Sequence, residues 1–164
     1  MSNVLQQISA TVAAEFSDLN DVTEITQLSV RLLMAALLGG ILGFEREQRG
    51  KAAGVKTHML VAIGAAFFVF IPQQVGIVDT HLGHVIQGVI AGIGFLGAGA
   101  ILKGDDEQHL KGLTTAASIW LTAAIGIAAG LGRESSAILC TLLALLVLLV
   151  MPKIIDLTDR KEKQ

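Results

Sequence analysis

The stretch from Gly88 to Leu102 reads G-V-I-A-G-I-G-F-L-G-A-G-A-I-L, and it decides what kind of fold the chain can adopt. It contains five glycines in fifteen residues and no charged side chain. It is too apolar for a surface loop, yet each glycine costs a helix interior about 1 kcal/mol relative to alanine. Close backbone contact and irregular backbone are two uses for such a segment, and both are typical of membrane proteins.

The composition of the whole chain also indicates a membrane protein. Of its 164 residues, 52% are hydrophobic and 16% are charged, whereas a soluble domain has about 25% charged residues. Aromatic residues make up only 4%, which favours packed helices over a β-barrel with aromatic girdles. These values exclude the soluble enzyme classes, and the lack of a basic stripe removes any argument for nucleic-acid binding. Cys140 is the single cysteine, so no disulfide or cysteine-based metal site is expected.

Five segments are long and apolar enough to cross a hydrocarbon core of roughly 30 Å. They cover about 25–44, 57–75, 85–102, 113–131 and 136–151. Asp21, followed three residues later by Glu24, resembles a capping box at the start of the first segment. The predicted fold is therefore all-α, a polytopic membrane protein whose five transmembrane helices pack through glycine-rich faces.

The N-terminal segment, residues 1–24, carries acidic side chains and no Lys or Arg, so it lacks the basic region of a cleaved signal peptide. Leu5, Ile8, Val12 and Phe16 recur at steps of three and four residues. This spacing is typical of an amphipathic helix that lies on the membrane surface or covers another part of the protein. A disordered tail is the alternative.

Lys and Arg residues are distributed unequally among the connections. Ten of them lie in 45–56, 103–112 and 153–164, and only Arg133 lies in the opposite set. Because cytoplasmic loops carry the excess of positive charge, we expect a periplasmic N-terminal segment and a cytoplasmic tail at 153–164. The membrane domain between them covers 25–152.

The glycines of the third segment spell G-x-G-x-x-G at positions 92–97, but they do not indicate a dinucleotide site. That site needs a strand before it, a helix after it and an acidic residue about twenty positions on, all in a soluble unit, whereas apolar sequence lies on both sides here and positions 112–117 contain no acidic residue. Small residues at four-residue steps instead predict close contact among the first, third and fourth helices, with a substrate-lining or broken third helix as the alternative. The candidate packing residues are Gly39, Gly43, Gly88, Gly92, Gly94, Gly97, Gly99, Gly126 and Gly130.

A polar cluster is predicted at the cytoplasmic ends of the first, second and fourth helices. Glu45 and Arg49 are one helical turn apart and can pair if the helix continues, although an ordinary interfacial charge cluster looks the same. Its hydroxyl groups either line a wet cavity or bond between helices. The candidates are Glu45, Arg46, Arg49, Thr57, His58, Thr114, Thr115 and Ser118.

Arg31 is a charge inside the first span, among Val30, Leu32 and Leu33. A charge within the membrane costs at least about 2.5 kcal/mol, which makes it a functional candidate. The alternative is that its side chain extends to the outer headgroups.

Asp105 and Asp106 belong to an acidic turn between the third and fourth spans. Magnesium accepts one or two carboxylates plus its own waters, so these residues are candidates for a metal site, but a solvated turn would look the same. We expect no resident metal and no cofactor.

Four motifs, in order along the chain, resemble those of the MgtC/SapB family of small bacterial inner-membrane proteins. They are Gly43-Phe-Glu-Arg-Glu47, Ala53-Gly-Val-Lys-Thr-His-Met-Leu-Val61, Gly92-Ile-Gly-Phe-Leu-Gly-Ala-Gly99 and Gly112-Leu-Thr-Thr-Ala-Ala-Ser-Ile-Trp120. The resemblance implies five membrane helices with a cytoplasmic C-terminus and no enzymatic activity. The chain stops soon after the fifth span, so we expect a short form without the C-terminal ACT-like domain.

The resemblance also implies a role in growth under magnesium limitation and in survival of pathogens inside host cells. It suggests action on membrane proteins such as the F-type ATP synthase. Three hypotheses follow: a non-enzymatic regulator or stress-adaptation protein, a transporter or channel for Mg²⁺ or H⁺, and a purely structural scaffold. The lipid bilayer is the expected environment, and the small-residue faces favour a homo-oligomer such as a dimer.

Overall fold

The structure is a computed structural model that describes residues 2–16, 21–76, 79–103 and 110–162. The chain divides into two compact units, Met1–Val30 and Arg31–Gln164. Within the described ranges its regular elements are helices, apart from two strands of two residues each. The elements are α1 (Ser2–Glu15), α2 (Val22–Gln48), α3 (Val55–Gln74), α4 (Asp79–Gly99), β1 (Leu102–Lys103), β2 (Leu110–Lys111), α5 (Leu113–Gly130) and α6 (Glu134–Glu162).

Five of the described helices are long and apolar enough to cross a membrane, which confirms the predicted number and the all-α class. The spans lie at Val22–Gln48, Val55–Gln74, His81–Gly99, Leu113–Gly130 and Glu134–Ile154. The first span is longer than predicted at both ends. Glu45 and Arg46 are therefore part of a continuous helix rather than of a loop that follows it.

The ends of the helices follow from local sequence. Asp21 precedes α2, and its Oδ1 accepts a hydrogen bond of 2.9 Å from the N–H of Thr23, as an N-cap side chain does. Gly50 and Gly132 follow α2 and α5 with φ angles of 63° and 70°. Glycine adopts this left-handed conformation without the steric cost that a Cβ would add, so both helices end there.

Helices α3 and α5 form the centre of the larger unit. A Cβ built on Gly126 would lie 2.9 Å from the Cα of Ala62, and one built on Gly130 would lie 2.7 Å from the Cα of Ala66. Both contacts advance by four residues in the same direction, so α3 and α5 run parallel with their backbones in close contact. α5 is the most buried of the five spans.

Helix α2 packs on another face of α3 through its own glycines. A Cβ on Gly39 would lie 2.7 Å from the carbonyl oxygen of His58, and one on Gly43 would lie 2.7 Å from the Cα of Val55. As the residue number increases along α2, from Gly39 to Gly43, the residue number of the contacted position on α3 decreases, from His58 to Val55. The two helices are therefore antiparallel. The side chains of α2, α3, α5 and α6 form one apolar core, and those of α3, α4 and α5 form a second, which also includes Ala53 before α3.

The third span packs against the fourth as predicted, but most of its glycines lack the expected close contacts with the described chain. No atom of the described chain outside the local helix lies within 4 Å of a Cβ built on Gly88, Gly92, Gly94 or Gly99. Gly97 makes only an ordinary contact, 3.6 Å from the Cβ of Ala116. The glycines of the first and fourth spans are in close contact as expected, but the helix they meet is the second span. At Ala62 and Ala66 the side chain of this helix is a single methyl group, which allows the backbone of α5 to come close.

Candidate functional site

A buried ion pair lies at the end of α2. Glu45 is 8% exposed and Arg46 is 3% exposed. Nε of Arg46 donates a hydrogen bond to Oε2 of Glu45, and Nη2 of Arg46 forms an ion pair with the same oxygen. Arg49, one turn further on and 41% exposed, places its Nε 3.2 Å from Oε1 of the same carboxylate. Breaking such a buried pair from one side costs about 3–5 kcal/mol, because the remaining charge stays buried without a partner.

The Oε1 atom of Glu45 is the exception in this arrangement. It is buried and accepts no hydrogen bond from the part of the chain that the structure describes. Its ion pair with the partly exposed Arg49 is held by charge alone, without hydrogen-bond geometry. A buried acceptor of this kind retains the capacity to take a donor.

Glu47 has a role that the sequence did not suggest. Its Oε2 accepts a hydrogen bond of 2.9 Å from the N–H of Val55, the first residue of α3. Gly54 precedes α3 and has no side chain to cap it, and a Cβ there would lie 3.1 Å from Cδ of Glu47. The carboxylate therefore substitutes for a local cap and places negative charge at the positive end of the helix dipole. The sequence did not indicate this cap because capping patterns join residues two or three positions apart, whereas Glu47 lies eight residues before Val55.

His58 connects α3 to α5 and is fully buried. Its Nδ1 lies 2.9 Å from the carbonyl oxygen of Gly54, and because a carbonyl only accepts, Nδ1 carries a proton. Its Nε2 lies 3.2 Å from Oγ of Ser118, whose hydroxyl also lies 2.8 Å from the carbonyl oxygen of Thr115. Ser118 has a single hydroxyl proton. It donates this proton either to the carbonyl oxygen of Thr115 or to Nε2 of His58, which accepts when the imidazole is neutral.

The structure thus brings together most of the predicted polar cluster. Glu45, Arg46 and Arg49 form its ionic part; His58, Ser118 and the buried Thr115 form its neutral part. The two parts adjoin because Gly43 lies against the Cβ of His58. Thr57 and Thr114 point outward and are exposed.

Arg31 is not part of this cluster. Fourteen residues of α2 separate it from Glu45, which is about 21 Å along the helix. Its Nη1 donates to the carbonyl oxygen of Gly130 at 2.9 Å and to Oε1 of Gln73 at 3.1 Å, and its guanidinium lies 5.3 Å from the ring centre of Phe70. Arg31 therefore joins α2, α3 and α5, with its charge at the negative end of the α5 dipole.

Two cavities adjoin the helices, and both are lined mainly by apolar side chains. The larger, about 620 Å³, lies between α3 and α4 and includes the open glycines Gly64, Gly88 and Gly92. The smaller, about 360 Å³, lies between α2, α5 and α6, and Ser118 is one of its few polar residues.

The candidate metal residues Asp105 and Asp106 lie outside the described residues. Their loop is bounded by the pairing of β1 with β2, in which Leu102 faces Lys111 and Lys103 faces Leu110. Among the residues that the structure describes, no group of three or more His, Cys, Asp or Glu side chains is placed to hold a metal ion.

Comparison with known proteins identifies the family. Protein SrpB of Synechococcus elongatus is 42% identical over 132 residues, which is 74% of this chain and 72% of SrpB. The putative magnesium transporter YhiD of Escherichia coli is 42% identical over 73% of this chain and 58% of its own length. Protein MgtC of Salmonella typhimurium is 40% identical over 71% of this chain and 48% of its own length.

The chain therefore spans only about half the length of MgtC and little more of YhiD. No solved structure matches it. The model of the MgtC family matches residues 32–157, which contain the ion pair, the His58 network and the last four spans. With five candidate spans and this match, the chain is a multi-pass membrane protein that belongs to the MgtC family.

Proposed function

We propose that this protein is a non-enzymatic regulator in the bacterial inner membrane that supports growth under magnesium limitation by binding another membrane protein. The observation that carries the proposal is the closed polar cluster. Glu45 and Arg46 are buried and bonded to each other, and His58 and Ser118 bond between helices. An ion path needs polar groups along a wet route, whereas the cavity between α3 and α4 and the one between α2, α5 and α6 are lined mainly by apolar side chains.

The open faces of the bundle suit a partner within the membrane. On α4, Phe95 is 82% exposed and Leu96 is 51% exposed, and the neighbouring glycines leave room for close approach by another helix. The F-type ATP synthase is the proposed partner, and a homodimer through the same small-residue faces is the proposed assembly. The proposed orientation has the N-terminal segment outside and the tail in the cytoplasm, because Lys and Arg are concentrated on that side.

Transport of Mg²⁺ or H⁺ is the second candidate function. One relative is named a putative magnesium transporter. The specific observation in its favour is Oε1 of Glu45, a buried carboxylate oxygen that accepts no hydrogen bond from the described chain. A proton or a hydrated cation is the kind of ligand that such an oxygen attracts.

Growth at low magnesium tests the role of the ion pair. A bacterial strain without its own family member is complemented with the wild-type chain, Glu45→Gln, Arg46→Gln or the double variant. We expect each single variant to lower membrane abundance, because one charge is left buried alone. The double variant removes both charges and should recover abundance while growth remains impaired. Normal growth of the double variant would contradict a functional role for the pair. Lys51→Gln, an exposed basic residue nearby, is the matched control.

Flux measurements separate the two candidate functions. Purified protein is reconstituted in liposomes that contain a magnesium indicator or a pH indicator. The flux of Mg²⁺ or H⁺ is then followed over a range of membrane potentials. The regulator predicts no flux above empty liposomes. Flux that disappears in the Glu45→Gln, Arg46→Gln double variant would contradict the regulator hypothesis and support transport.

A photo-crosslinking residue that replaces Phe95 should capture a membrane subunit of the F-type ATP synthase in cells. Failure to capture it would exclude that partner at α4.

A further inference from the structure

Helix α1 has an apolar face that none of the described residues of its own unit covers. Val4, Leu5, Ile8 and Val12 lie on one side of the helix and are between 51% and 65% exposed, and Phe16 just beyond it is 81% exposed. The steps of three and four residues between them place these side chains in one stripe. A stripe of this size in water would promote aggregation, so a covering surface is needed.

The chain itself places this stripe near the bilayer. Only residues 17–20 separate Phe16 from Asp21, which caps the first membrane span. Five steps along an extended chain cover at most about 18 Å, so α1 is tethered close to the point where α2 enters the membrane. The first turns of α2 also carry exposed apolar side chains, Val22 and Ile25.

The charge of α1 indicates the kind of membrane surface that it fits. Residues 2–16 contain no Lys, Arg or His and a single acidic residue, Glu15. The side opposite the stripe carries the neutral side chains of Asn3 and Gln6. Attraction to anionic lipid therefore contributes little, and burial of apolar area is the remaining driving force.

We propose that α1 lies in the bilayer interface at the leaflet where α2 enters, with Val4, Leu5, Ile8 and Val12 among the lipid chains and Asn3 and Gln6 toward water. The helix docks in this way whether the bundle regulates a partner or transports an ion. It keeps the apolar stripe covered and fixes the depth of the first span.

Fluorophores on opposite sides of α1 test the proposal in the full chain. Cys140→Ala removes the native thiol, and Ile8→Cys or Gln6→Cys then accepts an environment-sensitive fluorophore. These two positions are two residues apart and about 160° around the helix, so they form a matched pair. The labelled protein is reconstituted in phosphatidylcholine nanodiscs, where both faces are open to solutes. Quenching is measured with brominated lipid and with aqueous iodide.

We expect the label at position 8 to show blue-shifted emission and quenching by brominated lipid, and the label at position 6 to be quenched by iodide. Replacing part of the phosphatidylcholine with phosphatidylglycerol should leave both signals unchanged. Equal iodide quenching at both positions would overturn the proposal in favour of a solvated segment. Protection of position 8 from both quenchers would mean that protein covers it. In that case, nanodiscs that hold a single protein molecule show which protein covers position 8. Loss of protection there would mean that a second copy covers it, and persistent protection would mean that the same chain covers it.

Discussion

Gly126→Ala is the most direct test of the contact at the centre of the bundle. The added Cβ would lie 2.9 Å from both the carbonyl carbon and the Cα of Ala62, and closer still to the carbonyl oxygen of that residue. All three are backbone atoms of a helix, so no side chain can rotate to make room. Carbon atoms are at their optimum about 3.5–4.0 Å apart, so α3 and α5 must separate by roughly 0.6–1 Å.

The magnitude follows from that separation. A gap of 0.5–1 Å removes about a quarter to a half of the dispersion energy of each contact along the interface, and overpacking of this kind typically costs about 1–3 kcal/mol. The higher helix propensity of alanine offsets up to about 1 kcal/mol of this loss in the free energy of unfolding. The expected net loss is therefore between about zero and 2 kcal/mol for Gly126→Ala. Gly126→Leu should cost more and prevent the two helices from packing.

Gly92→Ala is the matched control, because a Cβ at that position meets nothing within 4 Å in the described chain. It should be neutral or stabilising by up to about 1 kcal/mol. Unfolding by sodium dodecyl sulfate in mixed micelles, followed by helical circular dichroism, measures both variants against wild type. If Gly92→Ala loses more stability than Gly126→Ala, or if Gly126→Leu unfolds at the wild-type midpoint, the close contact inferred between α3 and α5 is wrong.

Three further variants probe the polar contacts. Arg31→Leu should destabilise the protein by about 1–3 kcal/mol in the same assay, because it leaves the carbonyl at the end of α5 without its charged donor; equal stability would mean that the contact contributes nothing. Glu47→Ala should cost about 0.5–2 kcal/mol by uncapping α3, whereas Glu47→Gln keeps an acceptor oxygen and should lose less; the reverse order would refute the capping role. Ser118→Ala leaves Nε2 of a buried imidazole without its partner and should cost about 1–3 kcal/mol, while the ¹⁵N chemical shift of His58 changes; an unchanged shift would contradict the hydrogen bond.

The number of spans and their approximate positions were predictable from sequence because they depend on local quantities. A run of about 20 apolar residues identifies a membrane helix without knowledge of its neighbours. The N-cap at Asp21 was predicted for the same reason, since the cap and the amide it binds are two residues apart. The packing partner of the glycine faces was not predictable in this way. Gly126 and Gly39 meet α3, whose sequence at that point reads as alanines rather than as a glycine motif.

The candidate site was predicted in its composition but only partly in its geometry. Glu45 and Arg46 were predicted as members of the polar cluster because they are charges at the end of a span. His58 and Ser118 were predicted because they are polar residues near the starts of helices. What the sequence did not predict was that His58 is fully buried, or that Glu47 caps a helix eight residues away. Both features depend on how α2, α3 and α5 meet.

The sequence by itself determined that this protein resides in a membrane, how many helices can cross it, and which family it resembles, because hydropathy and short motifs are properties of contiguous residues. The tertiary structure alone decided which glycines are functional in packing. The stretch from Gly88 to Leu102 has the highest density of glycine, yet most of its glycines have no close neighbour in the described chain, while two glycines of α5 lie against the backbone of α3. A glycine only permits a close approach. Whether a neighbouring helix makes that approach depends on residues far away in the chain.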